Sequence, residues 1–243
     1  MNSRVLIPAT VVVFARVLFA APAPAENPAT QAILGQYLAA TRAGQATLRD
    51  MSMEVDIDAK LPNLSKSGKL NALRHISRLG QITYRRLTFQ GDNTVKKDLI
   101  ARYLEAEAKA APGSSSMAIT PDNYKFRYRG VYGSGDWKLH LFELTPRAKR
   151  VGLFKGWLWL EAQSCRPVRE QGRFVKTPSI FLKRVEFVRD YMFRDGVAIP
   201  VRIDSSIETR LVGRAELSVR FSKFEHEAQP AGEVSALGDT NGR

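Results

Sequence analysis

The sequence predicts an α+β fold that is mostly β: one long antiparallel sheet, curved around two helices. Three observations predict it. From Met51 to Phe224, apolar and polar residues alternate in segment after segment. Strand side chains point to opposite faces in turn, so such segments build a sheet with one apolar face. Turn signals rich in Gly, Pro, Asn and Asp separate these segments at hairpin spacing. Helical periodicity occurs in only two stretches. About ten strands do not suit a flat open sheet, which tends to curl. The concave face of a curled sheet would meet the apolar stripes of the helices.

Residues 1–25 read as a signal peptide. Arg4 supplies the positive start, Val5 to Ala15 and Val17 to Ala21 the apolar runs, and Ala23-Pro24-Ala25 the small-residue cleavage site. Pro8 and Arg16 leave too short an apolar stretch to span a bilayer. Asn27-Pro28 then reads as a helix start. Ile33, Leu34, Tyr37, Leu38 and Thr41 share one face of a helix that runs to about Leu48.

Strands follow at about 51–61, 68–77 and 82–90. Gly91-Asp92-Asn93-Thr94 offers caps for a second helix to about Lys109, with Val95, Leu99, Tyr103 and Ala106 as its stripe. The run 111–116 is a loop. Seven strands come next, near 123–132, 137–145, 153–162, 167–176, 181–194, 197–209 and 213–224. Gly133-Ser134-Gly135-Asp136, Asp195-Gly196 and Val212-Gly213 mark hairpins. Neither strand-rich half would close a core alone, so residues 26–227 form a single domain. Residues 228–243 lack periodicity and read as a disordered tail.

A hydrophobic fraction of 44% with 25% charged residues is ordinary for a globular protein. The net charge of +13 includes Arg4 and Arg16 of the leader. It favours anionic partners, with an anionic membrane surface among them. An exported, periplasmic location makes nucleic acid an unsuitable partner. Cys165 is the lone cysteine, so no intramolecular disulfide is available, and it sits in what reads as a turn. His75, His140 and His226 have no metal-ligand spacing. No nucleophile elbow, zinc-protease motif or phosphate-binding glycine loop is present. Glu161, Glu170, Glu186 and Asp190 read as surface partners for arginine. No enzyme activity, metal or cofactor is therefore expected.

Two stretches carry a resemblance. One is Phe154-Lys155-Gly156-Trp157-Leu158-Trp159-Leu160-Glu161 with Pro167-Val168-Arg169-Glu170. The other runs through Val185-Glu186-Phe187, Tyr191 and Asp195-Gly196-Val197-Ala198-Ile199-Pro200 to Leu217-Ser218-Val219-Arg220-Phe221-Ser222. Over about residues 28–225 the chain resembles the superfamily of exported lipoprotein carriers (LolA and LolB), sorting-type proteins and the regulator RseB. That resemblance implies an unclosed β-barrel covered by helices, holding lipid or the acyl chains of a lipidated protein in an apolar cavity. Unlike LolB, the chain has no lipidated cysteine at the cleavage point.

Met53, Val55, Ile57, Leu99, Tyr103, Phe126, Trp157, Trp159, Phe187 and Tyr191 are the candidates to line such a cavity. Trp157 and Trp159 share one strand face and Leu158 and Leu160 the other, so this strand needs cover on both sides. Lys125, Arg127 and Arg129 alternate with Tyr124, Phe126 and Tyr128 and are the candidate contacts to an anionic surface. The alternative function is an envelope-stress sensor or regulator that acts through a protein partner. The oligomeric state is not readable.

Overall fold

The computed structural model describes residues 27–109, 116–135, 137–177, 181–210 and 212–226. The leader and tail expected at 1–25 and 228–243 lie outside them. Helix α1 spans Pro28–Thr47. Strands β1 (Met51–Leu61), β2 (Lys66–Ile76) and β3 (Ile82–Gly91) follow, with a 3-10 turn at Pro62–Leu64. A second helical segment joins α2 (Asn93–Val95), a π-helical stretch (Lys96–Ala101) and α3 (Arg102–Lys109). Then come β4 (Tyr124–Tyr132), β5 (Leu139–Pro146), β6 (Phe154–Glu161) and β7 (Pro167–Phe174). The last three strands are β8 (Leu182–Arg194), β9 (Val197–Thr209) and β10 (Arg214–His226).

All ten strands form one antiparallel sheet in the order β3-β2-β1-β10-β9-β8-β7-β6-β5-β4. β1 pairs with β10, so the two ends of the domain meet in mid-sheet. β3 and β4 are left as edges, and the barrel is unclosed. Both edges carry irregularities, near Asn71/Leu73 opposite β3 and at Tyr128/Gly130 in β4. Bulges of this kind hinder edge-to-edge association.

The alternation decides the faces. In β1, Met53, Val55 and Ile57 are at most 2% exposed, while Asp56 and Lys60 on the other face are exposed. Asp195 and Gly196 both take positive φ, 50° and 78°, as the tight hairpin between β8 and β9 requires. Gly156 and Gly172 face each other across β6 and β7. A Cβ on Gly156 would lie 2.0 Å from the Gln171 carbonyl oxygen, and one on Gly172 would lie 2.4 Å from the Phe154 ring. Only glycine allows this approach.

The helices roof the apolar face. Asn27 caps α1 by accepting from the Ala29 N–H at 3.0 Å. Tyr37 is buried, and Gly44 is buried against Val197 and Ala198 at the start of β9. Asp92 caps the second segment by accepting from the Thr94 and Val95 N–H groups. Its buried positions are Val95 and Ile100, five residues apart, with Leu99 and Tyr103 half-buried and Ala106 exposed. The expected stripe Val95-Leu99-Tyr103-Ala106 assumed α spacing. The π-helical stretch inserts a residue and turns Ile100 into the core instead.

Two hydrophobic clusters result. An aliphatic one joins β1, β2, β9 and β10 to Val95 and Ile100. An aromatic one joins β4–β8 to α1 through Tyr37, Tyr124, Phe142, Phe154 and Phe187.

Candidate binding cavity

Pairing registers place Phe142, Leu158, Glu170, Arg189, Ile203, Val219, Ile57 and Leu70 in one row across the inner face. An ion pair thus sits between the two clusters. Arg189 donates to Glu170 Oε2 at 2.9 Å, and the Tyr191 hydroxyl donates to Oε1 at 2.6 Å. Glu170 is only 4% exposed. The expectation of a surface carboxylate at Glu170 is corrected here. In β7 the inward positions are Glu170, Gly172 and Phe174, so this strand has no clean apolar face to betray its orientation.

A second network lies at the β2–β3 side. Arg74 donates to Glu107 of α3 at 2.9 Å, and the Tyr84 hydroxyl donates to the same carboxylate. Burial pushes the Tyr37, Tyr84, Tyr103 and Tyr191 hydroxyls above their ordinary pKa, with Glu107 or Glu170 adding to it. Burial alone would lower the pKa of Arg189, but Tyr191 and Glu170 hold its guanidinium above the usual value. Arg189 is therefore a fixed cation. Tyr103 Oη and Thr41 Oγ1 are buried without a hydrogen-bond partner among the described residues.

The inner face opens where β9 and β10 part. Their ladder ends at Arg220↔Arg202. Pro200 has no N–H to continue it, and Lys223 turns β10 aside with φ 50°. The gap is a cavity of about 350 Å³. Met51, Val197, Ile199 and Phe224 supply apolar walls, Thr47 of α1 lies above, and Arg194, Asp195, Glu225 and His226 form a polar rim. Arg194 spans the gap by donating to the Phe224 carbonyl at 2.9 Å. A cleft of this size with apolar walls and a polar rim is within the range of small-molecule sites.

The sequence candidates are distributed as follows. Met53, Val55 and Ile57 are closed core, and Leu99 and Tyr103 pack against that core from the helical side. Phe126 and Phe187 belong to the aromatic cluster. Tyr191 bonds Glu170. Trp157 and Trp159 point to the outer face, because Leu158 and Leu160, both 0% exposed, take the inner one. Lys125, Arg127 and Arg129 are exposed along the outer side of β4, and Arg129 bonds Glu143. Cys165 is buried against Gln36, and burial raises the pKa of its thiol.

The cavity residues Met51, Val197, Ile199 and Phe224 were missed as a site. The one signal for them was Pro200 inside an otherwise regular strand pattern. Among the described residues no helix is long and apolar enough to cross a membrane. None of their His, Cys, Asp and Glu side chains form a group that could hold a metal ion.

By sequence, the chain matches no family model and no curated protein. Solved structures are similar to it. A LolA superfamily protein from Nitrosomonas europaea is 14% identical, with a TM-score of 0.44, over 82% of this chain and 94% of that one. An outer membrane lipoprotein-sorting protein domain from Vibrio parahaemolyticus is 13% identical, with a TM-score of 0.39, over 79% and 92%. The MucA/MucB complex of Pseudomonas aeruginosa is 10% identical, with a TM-score of 0.25, over 78% and 98%.

Proposed function

We propose that the protein is an exported carrier that takes up the acyl chain of a lipid, or of a lipidated protein, between β9 and β10. The observation behind this reading is the end of the ladder at Arg220↔Arg202 while both strands remain apolar inside. The cavity floor takes a chain, and the rim of Arg194, Asp195, Glu225 and His226 takes a polar end. The role is binding without catalysis.

Burying about ten methylenes at roughly 0.8 kcal/mol each gives about 8 kcal/mol. That corresponds to about micromolar affinity before ordering costs are subtracted. Binding of this strength is reversible, as a shuttle requires.

The test is displacement of a fluorescent fatty acid from delipidated protein by lysophospholipid. Val197→Trp fills the cavity and should weaken uptake about tenfold or more, about 1.4 kcal/mol, with far-UV dichroism unchanged. Uptake equal to that of the original protein would refute the cavity. Protein from the exported fraction should have an intact mass lacking residues 1–25, and co-purified lipid should be recovered from it. A stable protein complex without lipid would instead favour the regulatory reading.

A further inference from the structure

We propose that the outer face of the sheet carries a second binding site, for an acidic oligosaccharide. It lies on the opposite side of the sheet from the roofing helices and does not rest on the carrier reading. A groove of about 890 Å³ crosses six strands there, from β1 to β6. Its central row is Asp58, Ser218, Asp204, Val188, Gln171 and Trp157, each the cross-strand partner of the next.

The two ends of the groove differ. Toward β1 most charges are paired: Arg220 lies 3.6 Å from Asp58, Arg202 lies 2.6 Å from Asp204 and Arg214 lies 3.2 Å from Glu216, while Lys60 forms no ion pair with a described carboxylate. Toward β6, Lys155 and Arg173 stand directly opposite each other. Like charges in that relation destabilise a sheet. Neither forms an ion pair with a described carboxylate, and Glu186, the cross-strand neighbour of Arg173, bonds Arg184. Two mutually opposed cations without a salt bridge thus flank the half-buried Trp157 and the Gln171 amide, with Glu143 of β5 feeling the charge of Lys155 from a distance.

This lining selects among anions. A flat bilayer cannot reach the floor of a groove. A sugar ring has an apolar C–H face for the indole, and its hydroxyls both donate and accept. The groove offers both kinds of partner, in the guanidinium–carboxylate pairs and in the Gln171 amide. An acid group on the sugar would neutralise Lys155 and Arg173.

The probe is an oligogalacturonate titrated calorimetrically into the full exported protein. A neutral maltooligosaccharide and a polyglutamate peptide of matched length serve as comparisons. The uronate should bind, with each comparison weaker by about tenfold or more. Trp157→Ala and the double variant Lys155→Gln/Arg173→Gln should each lower uronate affinity by about tenfold or more. Trp137→Ala, at an 83% exposed residue beside the β4–β5 turn, should leave it unchanged. No uronate binding, equal binding of the neutral sugar, or unchanged affinity in the double variant overturns the proposal. Equal binding of polyglutamate also overturns it, in favour of an acidic protein partner. If Trp157→Ala fails to fold, the double variant decides, since it removes a repulsion and leaves the indole in place.

Discussion

The two parts of the sheet differ on both faces. Beneath the second helical segment, the inner face of β1, β2 and β10 is built mainly of Met, Val, Ile and Leu. Their outer face carries matched pairs such as Lys223–Glu54 and Lys69–Asp58. Beneath α1, the inner face of β4–β7 is largely aromatic. Its rings meet at set angles: Phe154 stands edge-on to Phe187 at 4.9 Å, and Phe126 edge-on to Phe142 at 6.0 Å. On the outer face there, Arg129 pairs with Glu143 and Arg169 with Asp190, while Lys125, Arg127, Lys155 and Arg173 form no ion pair with a described carboxylate. The aliphatic part spends its polar residues on its own stability. The aromatic part draws stability from ring packing and leaves several of its outer cations without a salt bridge.

The largest expected effect asks whether the two parts fold as one. Phe142→Ala in the aromatic cluster should cost about 3–5 kcal/mol, and Ile57→Ala in the aliphatic one about 2–5 kcal/mol. Phe174 packs against both clusters, so each variant should lower one shared urea transition. Separate transitions by tryptophan fluorescence and far-UV dichroism would show the parts to be independent.

The ion pair between them comes next. Arg189→Ala leaves Glu170 buried with Tyr191 alone and should cost about 3 kcal/mol in urea unfolding. The double replacement Glu170→Leu/Arg189→Met should recover most of that loss, because an apolar pair suits the row it sits in. A double variant as unstable as Arg189→Ala would mean that the pair positions the strands and does more than fill the row.

Alkaline pH should loosen both parts. The folded pKa values of Tyr37, Tyr84, Tyr103 and Tyr191 lie above the ordinary tyrosine value, and burial pushes Tyr124 up to about 12. The unfolded chain therefore releases these protons first. Their contribution is complete below about pH 10 and declines as pH rises above it. Urea midpoints that stay level from neutral pH to well above that value would contradict these burials.

The smallest effect is on the outer face. Arg184→Ala, in an exposed pair with Glu186, should leave the midpoint unchanged. Lys155→Gln should raise it slightly at low salt, and the gain should vanish at high salt, where screening shortens below about 8 Å. A loss on Lys155→Gln would mean that the cation has an internal partner and is not held for a ligand.

Strand positions, both helices and the side facing inward were legible where the pattern was regular. In β1, Met53 to Leu61 alternate without a break, and period two has only one reading. Asp195-Gly196 named its own turn because few residues accept two successive positive φ values. β7 was not legible: Glu170 faces inward beside glycine, and no local rule announces a polar residue that finds its partner on the next strand. Nor was the burial of Ile100, since a π turn shifts a stripe without changing composition.

The sequence by itself determined the alternation, the turns and the charge, because these depend on neighbours a few residues apart. Only the tertiary structure decided that β1 lies beside β10, that β9 and β10 part at Pro200, and that Lys155 faces Arg173 beside Trp157. Those outcomes depend on which strands pair and in what register. Register is set by the packing of the whole sheet against its helices, not by any one segment.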